Sequence, residues 1–189
     1  MRNLIKLFNK SNIPNLLTCI RIFLIPCIIF FIMTDGSSNQ WIALYLYFFA
    51  CISDFLDGYL ARKFQLESNF GKFFDPIADK ILVVSVIFIM VVENLISGIL
   101  VFPALVIILR EILVSGLRDF FSYKQENLIV TNLSKWKTLI QMSSLGFLIV
   151  QNNFESKFIF FVGALGLTIA SILTIYTGYI YFKKNIKLF

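Results

Sequence analysis

A chain of 189 residues that is 58% hydrophobic, with 22 phenylalanines and a mean hydropathy of +0.83, lies far above the apolar share of a water-soluble domain. Its formal charge of +6 is carried without a single histidine, which excludes His-based triads, His metal ligands and a His general base, and leaves Asp, Glu, Lys, Tyr and Ser for any chemistry. The three cysteines, Cys19, Cys27 and Cys51, match no metal-binding or redox spacing and read as free packing residues.

In chain order, residues 1–15 place Arg2, Lys6 and Lys10 beside Leu4, Ile5, Leu7 and Phe8, the pattern of a short amphipathic helix lying on an anionic membrane surface. A cleaved leader is the competing reading, disfavoured because no small-residue cleavage site follows the first apolar run. Apolar stretches of about 20 residues, each enough to cross the hydrocarbon layer, then recur between short polar breaks. They predict six transmembrane helices at about 16–34, 41–61, 73–92, 98–118, 137–152 and 157–182. The expectation is an all-α, polytopic membrane protein in which 1–189 form one membrane domain, with no repeat, low-complexity tract or linker.

Lys and Arg gather on one side of these spans. Arg2, Lys6 and Lys10 precede the first; Arg62, Lys63 and Lys72 lie between the second and third; Arg118, Lys124, Lys135 and Lys137 surround the fourth connection; Lys183, Lys184 and Lys187 end the chain. The alternate loops hold one cation, Lys157, against Asp35, Glu93 and Glu155. By the positive-inside rule both termini are cytoplasmic, in a multi-pass protein of the cell membrane. The positive charge thus reports topology, with attraction to anionic lipid and phosphate as a second consequence; nucleic acid is not an expected partner.

A charged residue at the centre of a bilayer costs on the order of 2.5–3.5 kcal/mol on insertion scales. Span two nevertheless carries Asp54 and Asp57 near its cytoplasmic end, and span three carries Asp75 and Asp79 near its start. Spacings of i, i+3 and i, i+4 set each pair on one helix face, and the topology brings both pairs to one depth. Four carboxylates in a low-dielectric surrounding repel one another. Two divalent cations resolve the conflict, and hard oxygen donors suit Mg²⁺ or Mn²⁺ while leaving positions for substrate phosphates. Gly58 and Ala61 continue the Asp54 stripe and leave room for a ligand against the backbone, and Arg62 can fork onto a phosphate. Gly71, four residues before Asp75, permits a tight bend or a close substrate approach. The bland alternative is structural ion pairing with small-residue helix packing.

Read in full, Asp54-x2-Asp57-Gly58-x2-Ala61-Arg62-x8-Gly71-x3-Asp75-x3-Asp79 resembles the signature of the CDP-alcohol phosphatidyltransferase family without a mismatch. The resemblance implies transfer of a phosphatidyl or phosphoalcohol group from a CDP-linked donor to a hydroxyl, with release of CMP and two bound metal ions. It makes Asp54, Asp57 and Asp75 metal ligands, Asp79 a ligand and general base, and Asp54, Gly58, Ala61, Arg62 and Gly71 the cytidine diphosphate cradle. It also implies a homodimer.

A second basic cluster bears on the acceptor. Arg110, Glu111, Ser115 and Arg118 lie toward the cytoplasmic end of span four, and Lys135, Lys137, Thr138 and Gln141 open span five. Excess cations in a membrane cavity ask for an acceptor that carries its own phosphate; for single residues, positive-inside anchoring is the alternative. The run from Arg110 to Arg118, Lys135-Trp136-Lys137-Thr138 with Gln141, and Pro14-Asn15-Leu16-Leu17-Thr18 with Arg21 resemble the bacterial members that use glycerol 3-phosphate, with Ser134 as a departure from an expected Gly. The reaction so implied joins CDP-diacylglycerol and glycerol 3-phosphate into phosphatidylglycerophosphate and CMP. Asn15, Thr18, Arg21 and Ser115 are candidate substrate contacts, with snorkelling to the interface as the equal alternative for Arg21. Trp41 and Trp136 read as interface anchors. A sibling enzyme with another acceptor remains open. So does a cation transporter, although the outer halves of the spans are almost purely apolar. A purely structural membrane protein leaves the acids unexplained.

Overall fold

The computed structural model describes residues 13–64, 69–123 and 132–185, and every regular element among them is helical. Helix α1 runs Ile13–Met33, α2 Ser37–Phe64, α3 Asn69–Val92, α4 Val101–Tyr123, α5 Asn132–Ile149 and α6 Phe158–Asn185; single 3-10 turns, Gly98–Leu100 and Gln151–Asn153, precede α4 and follow α5. The helices overrun the expected spans at several ends, because polar turns such as Ser37–Gln40 stay helical beyond the apolar core. Of the interfacial helix expected over residues 1–15, residues 1–12 lie outside the described residues, and Ile13 onward already belongs to α1.

Three stretches among the described residues are long and apolar enough to cross a membrane: Leu16–Met33, Gly98–Leu117 and Phe158–Lys183. The remaining helices carry charge in their polar halves. Asp75, Asp79 and Lys80 fall in the first half of α3, Asp54 and Asp57 in the latter half of α2, and Lys135 and Lys137 at the start of the 18-residue α5. Phe23, Phe48, Phe88, Phe102 and Phe161 are exposed on the outer faces of five helices, an arrangement stable in lipid and costly in water.

The chain divides into two compact units, Met1–Ile89 and Met90–Phe189. In the first, α1 packs along α2. The buried stripe of α1 is Thr18, Arg21, Ile25, Ile28 and Ile32, alternating three- and four-residue steps that keep one face against a partner helix. Among the described residues, Ala43, Tyr47, Ala50 and Ser53 are the buried ones of α2. Gly71 is buried within the first turn of α3, whose helix is continuous there, so of the tight bend and the close substrate approach the bend is not formed. Pro76 is also helical; lacking an N–H, it leaves one carbonyl without its helical partner beside the acids.

In the second unit, α6 packs against both α4 and α5. The loop before α4 uses positive φ at Asn94 (57°) and Gly98 (59°), conformations that Asn and Gly adopt at least cost. The Gln151 side-chain amide donates to the Leu95 carbonyl at 2.8 Å and ties the two loops at this end together. Between α5 and α6 the backbones approach closely: a Cβ on Gly163 would come within 2.7 Å of Leu148 Cγ, and one on Gly166 within 2.8 Å of Ser144 Cβ. Small residues three apart thus form the seam that lets these helices meet. Gly166→Val is expected to cost about 1–3 kcal/mol by overpacking, read as a fall in the thermal unfolding midpoint in detergent. Gly116→Ala, whose Cβ would meet nothing within 4 Å, leaves the midpoint unchanged.

Candidate active site

The polar end of the α1 stripe organises the acids. Arg21 is fully buried and its Nη1 lies 2.7 Å from Asp54 Oδ1 on α2. One turn earlier, the Thr18 hydroxyl donates a hydrogen bond to Asp75 Oδ1 on α3. Arg21 therefore does not snorkel to the interface: a carboxylate within reach inside the helix seam gives the guanidinium a partner where water is excluded. One helix thus holds one acid from each of the other two.

Asp54 interacts electrostatically with both Arg21 and Asp75, attracted by the first and repelled by the second. Tyr47 and Cys51, on the turns of α2 preceding Asp54, sense the charge of Asp79. Asp54 and Asp75, from α2 and α3, are accordingly within electrostatic reach of each other. Asp54 remains 33% exposed, so ligands can reach it. Asp57, Gly58, Ala61 and Arg62 lie in the last turns of α2, but their side chains lie outside the described residues, as do those of Asn15 and Arg118. Among the described residues no three acids close around a single point to hold a metal ion. The donor set itself, oxygen only and mutually repelling, is of the kind that Mg²⁺ or Mn²⁺ takes.

A second cluster forms in the other unit, around a residue to which the sequence assigned no role. Glu111 of α4 accepts a hydrogen bond from Lys137 Nζ of α5, and its Oε1 lies 3.7 Å from Arg110 Nη1. Arg110 Nη2 donates to Thr177 Oγ1 of α6 at 3.1 Å. Lys137 is only 3% exposed, and such a cation is tolerable only with a partner. Gln141, one turn further along the same face of α5, is also buried, and its Oε1 has no hydrogen-bond partner. Lys135, two residues from Lys137, is exposed. Ser115 sits half-buried on α4. The structure thus gathers Arg110 and Lys137 of the four expected phosphate-binding cations. A cation on one helix and an acid on another could have been paired from sequence only with the packing of both α4 and α5 on α6 already known.

The chain belongs to the CDP-alcohol phosphatidyltransferase family, whose model matches residues 11–176. It is similar to the CDP-diacylglycerol–glycerol-3-phosphate 3-phosphatidyltransferase of Rickettsia felis, 42% identical over 180 residues that cover 95% of this chain and 98% of that one. Proteins of the same name from Rickettsia typhi and Haemophilus influenzae are 43% and 36% identical, over 92% and 89% of this chain and 96% and 90% of theirs.

Proposed function

We propose that this protein transfers the phosphatidyl group of CDP-diacylglycerol to glycerol 3-phosphate, giving phosphatidylglycerophosphate and CMP, at the cytoplasmic face of the cell membrane. The observation that supports the chemistry is the pair of acids set against α1, Asp54 held by Arg21 and Asp75 by Thr18, close enough to repel each other. The near full-length similarity to enzymes named for this reaction carries the substrates.

In this reading all six helices cross the membrane, with α2, α3 and α5 keeping their polar residues at the cytoplasmic end, and both termini are cytoplasmic. Residues 1–189 form a single catalytic membrane domain, working as a homodimer. Asp54, Asp57, Asp75 and Asp79 hold two divalent ions, Mg²⁺ or Mn²⁺, which when bound neutralise charge on the pyrophosphate and on the departing CMP. Gly58, Ala61, Arg62 and Gly71 cradle the cytidine diphosphate, with Asn15 and Ser115 as further contacts. Asp79 takes the proton from the acceptor hydroxyl as its oxygen bonds to the phosphatidyl phosphorus; the bond from that phosphorus to the CMP oxygen breaks, and CMP leaves with the electron pair. Arg21 and Thr18 fix the positions of two carboxylates before substrate arrives. Arg110, Lys137, Lys135 and Arg118 bind the acceptor's phosphate.

The test is enzymatic. Arg110→Ala raises KM for glycerol 3-phosphate roughly tenfold or more, the worth of one charged hydrogen bond, and leaves KM for CDP-diacylglycerol unchanged. Initial rates of CMP release measure both. An unchanged acceptor KM would remove Arg110 from the acceptor site.

A further inference from the structure

The three helices of the second unit carry a polar layer inside an otherwise apolar bundle. Leu148 faces Gly163 and Ser144 faces Gly166, which fixes an antiparallel register between α5 and α6. Continued by two further turns, that register brings Lys137 to the level of Thr174. Thr174 and Thr177 are both buried on α6, and the Thr174 hydroxyl has no hydrogen-bond partner. Arg110 reaches Thr177 from α4, and Glu111, its neighbour in sequence, holds Lys137 from α5. A buried layer that contains two unpartnered polar atoms, Gln141 Oε1 and Thr174 Oγ1, is incompletely satisfied as it stands.

Glu111 is the anion of this layer. Its carboxylate bears on the two cations that the proposed reaction assigns to the acceptor's phosphate, and carboxylate and phosphate compete for the same donors on Arg and Lys. A phosphate dianion cannot take up full pairing with Arg110 and Lys137 while Glu111 keeps both. Removing the anion altogether would leave Lys137 charged and buried, which is costly. The empty site therefore needs a resident anion, and the filled site does not.

We propose that Glu111 is an internal stand-in for the acceptor's phosphate: it keeps Arg110 and Lys137 charged and in place in the empty site, and yields them when a phosphate-bearing acceptor binds. It is a positioning and specificity-determining residue that acts through the two cations. This rests on the acceptor assignment made above. It also gives a reason for discrimination against neutral acceptors, which cannot displace a carboxylate from two cations.

The experiment compares wild type with Glu111→Gln, which keeps the shape and a hydrogen-bond acceptor for Lys137 but loses the charge. Glu111→Gln lowers KM for glycerol 3-phosphate about fivefold at similar kcat. In the absence of CDP-diacylglycerol, glycerol 3-phosphate raises its thermal unfolding midpoint more than that of wild type. A residue needed only to support the fold would leave the acceptor KM unmoved. An unchanged or raised KM with an equal midpoint shift overturns the proposal. Should Glu111→Gln fail to fold, Glu111→Asp, which retracts the carboxylate by one methylene, must lower KM in the same direction, and the proposal falls if it does not. Wild-type protein whose CMP release ignores glycerol 3-phosphate would instead overturn the acceptor assignment, an outcome read before any variant is made.

Discussion

Asp79→Asn lowers CMP release from CDP-diacylglycerol by about 10²–10⁴-fold, the contribution of a positioned general base. The substitution preserves shape while removing both the basic site and one negative charge. Tyr47 and Cys51 of α2 sense the Asp79 charge, so the same change also removes a buried charge from their surroundings. The variant is therefore expected to be no less stable than wild type in metal-free detergent solution while losing turnover, a combination that separates chemistry from folding. Steady-state rates at saturating metal, together with an unfolding midpoint, check both halves. Retention of more than a tenth of wild-type turnover would remove Asp79 from the base role.

The second large effect belongs to a residue that makes no bond in the reaction. Arg21→Met fills the same space in the α1 seam but withdraws the cation 2.7 Å from Asp54. Breaking a buried pair leaves its partner uncompensated; here the loss is about 3 kcal/mol, the lower end for such pairs, because Asp54 keeps 33% of its side-chain surface. The repulsion between Asp54 and Asp75 is then opposed by one cation fewer. Mn²⁺ is expected to raise the unfolding midpoint of Arg21→Met by more than it raises that of wild type, since a bound divalent cation replaces the missing charge. Equal midpoints for the two proteins without metal would show that the pair carries no stability.

The helical class and the sharing of a helix face by each pair of acids were legible because both follow from periodicity. Residues spaced i, i+3 or i, i+4 share a face whatever packs against it, and apolar runs of spanning length stand out from polar breaks. Contacts between helices were not legible in the same way. Thr18 and Arg21 stood out as candidates, but a cation near the end of an apolar helix fits snorkelling, substrate binding and ion pairing alike; only the packing of α1 along α2 decides for the pair with Asp54. Lys135 and Lys137 were grouped by closeness in sequence. Two residues apart on a helix they point in different directions, and the structure buries one and exposes the other. Gly71 was weighed as a bend, yet it continues α3. Glu111 entered the sequence reading as one acid among cations; its place between Arg110 and Lys137 depends on the packing of α4 and α5 against α6, which no local pattern encodes. Gly163 and Gly166 carry a small-residue spacing that could have been read, but the spacing does not name the partner helix.

In the proposed reaction glycerol 3-phosphate receives the phosphatidyl group. The most direct test is CMP release by the detergent-purified protein from CDP-diacylglycerol with Mg²⁺ or Mn²⁺, comparing glycerol 3-phosphate, serine, inositol and inositol phosphate as acceptors. Turnover with glycerol 3-phosphate, abolished by chelation and absent with serine and inositol, is the predicted result; turnover with another acceptor in its place, or no metal-dependent CMP release at all, would contradict it.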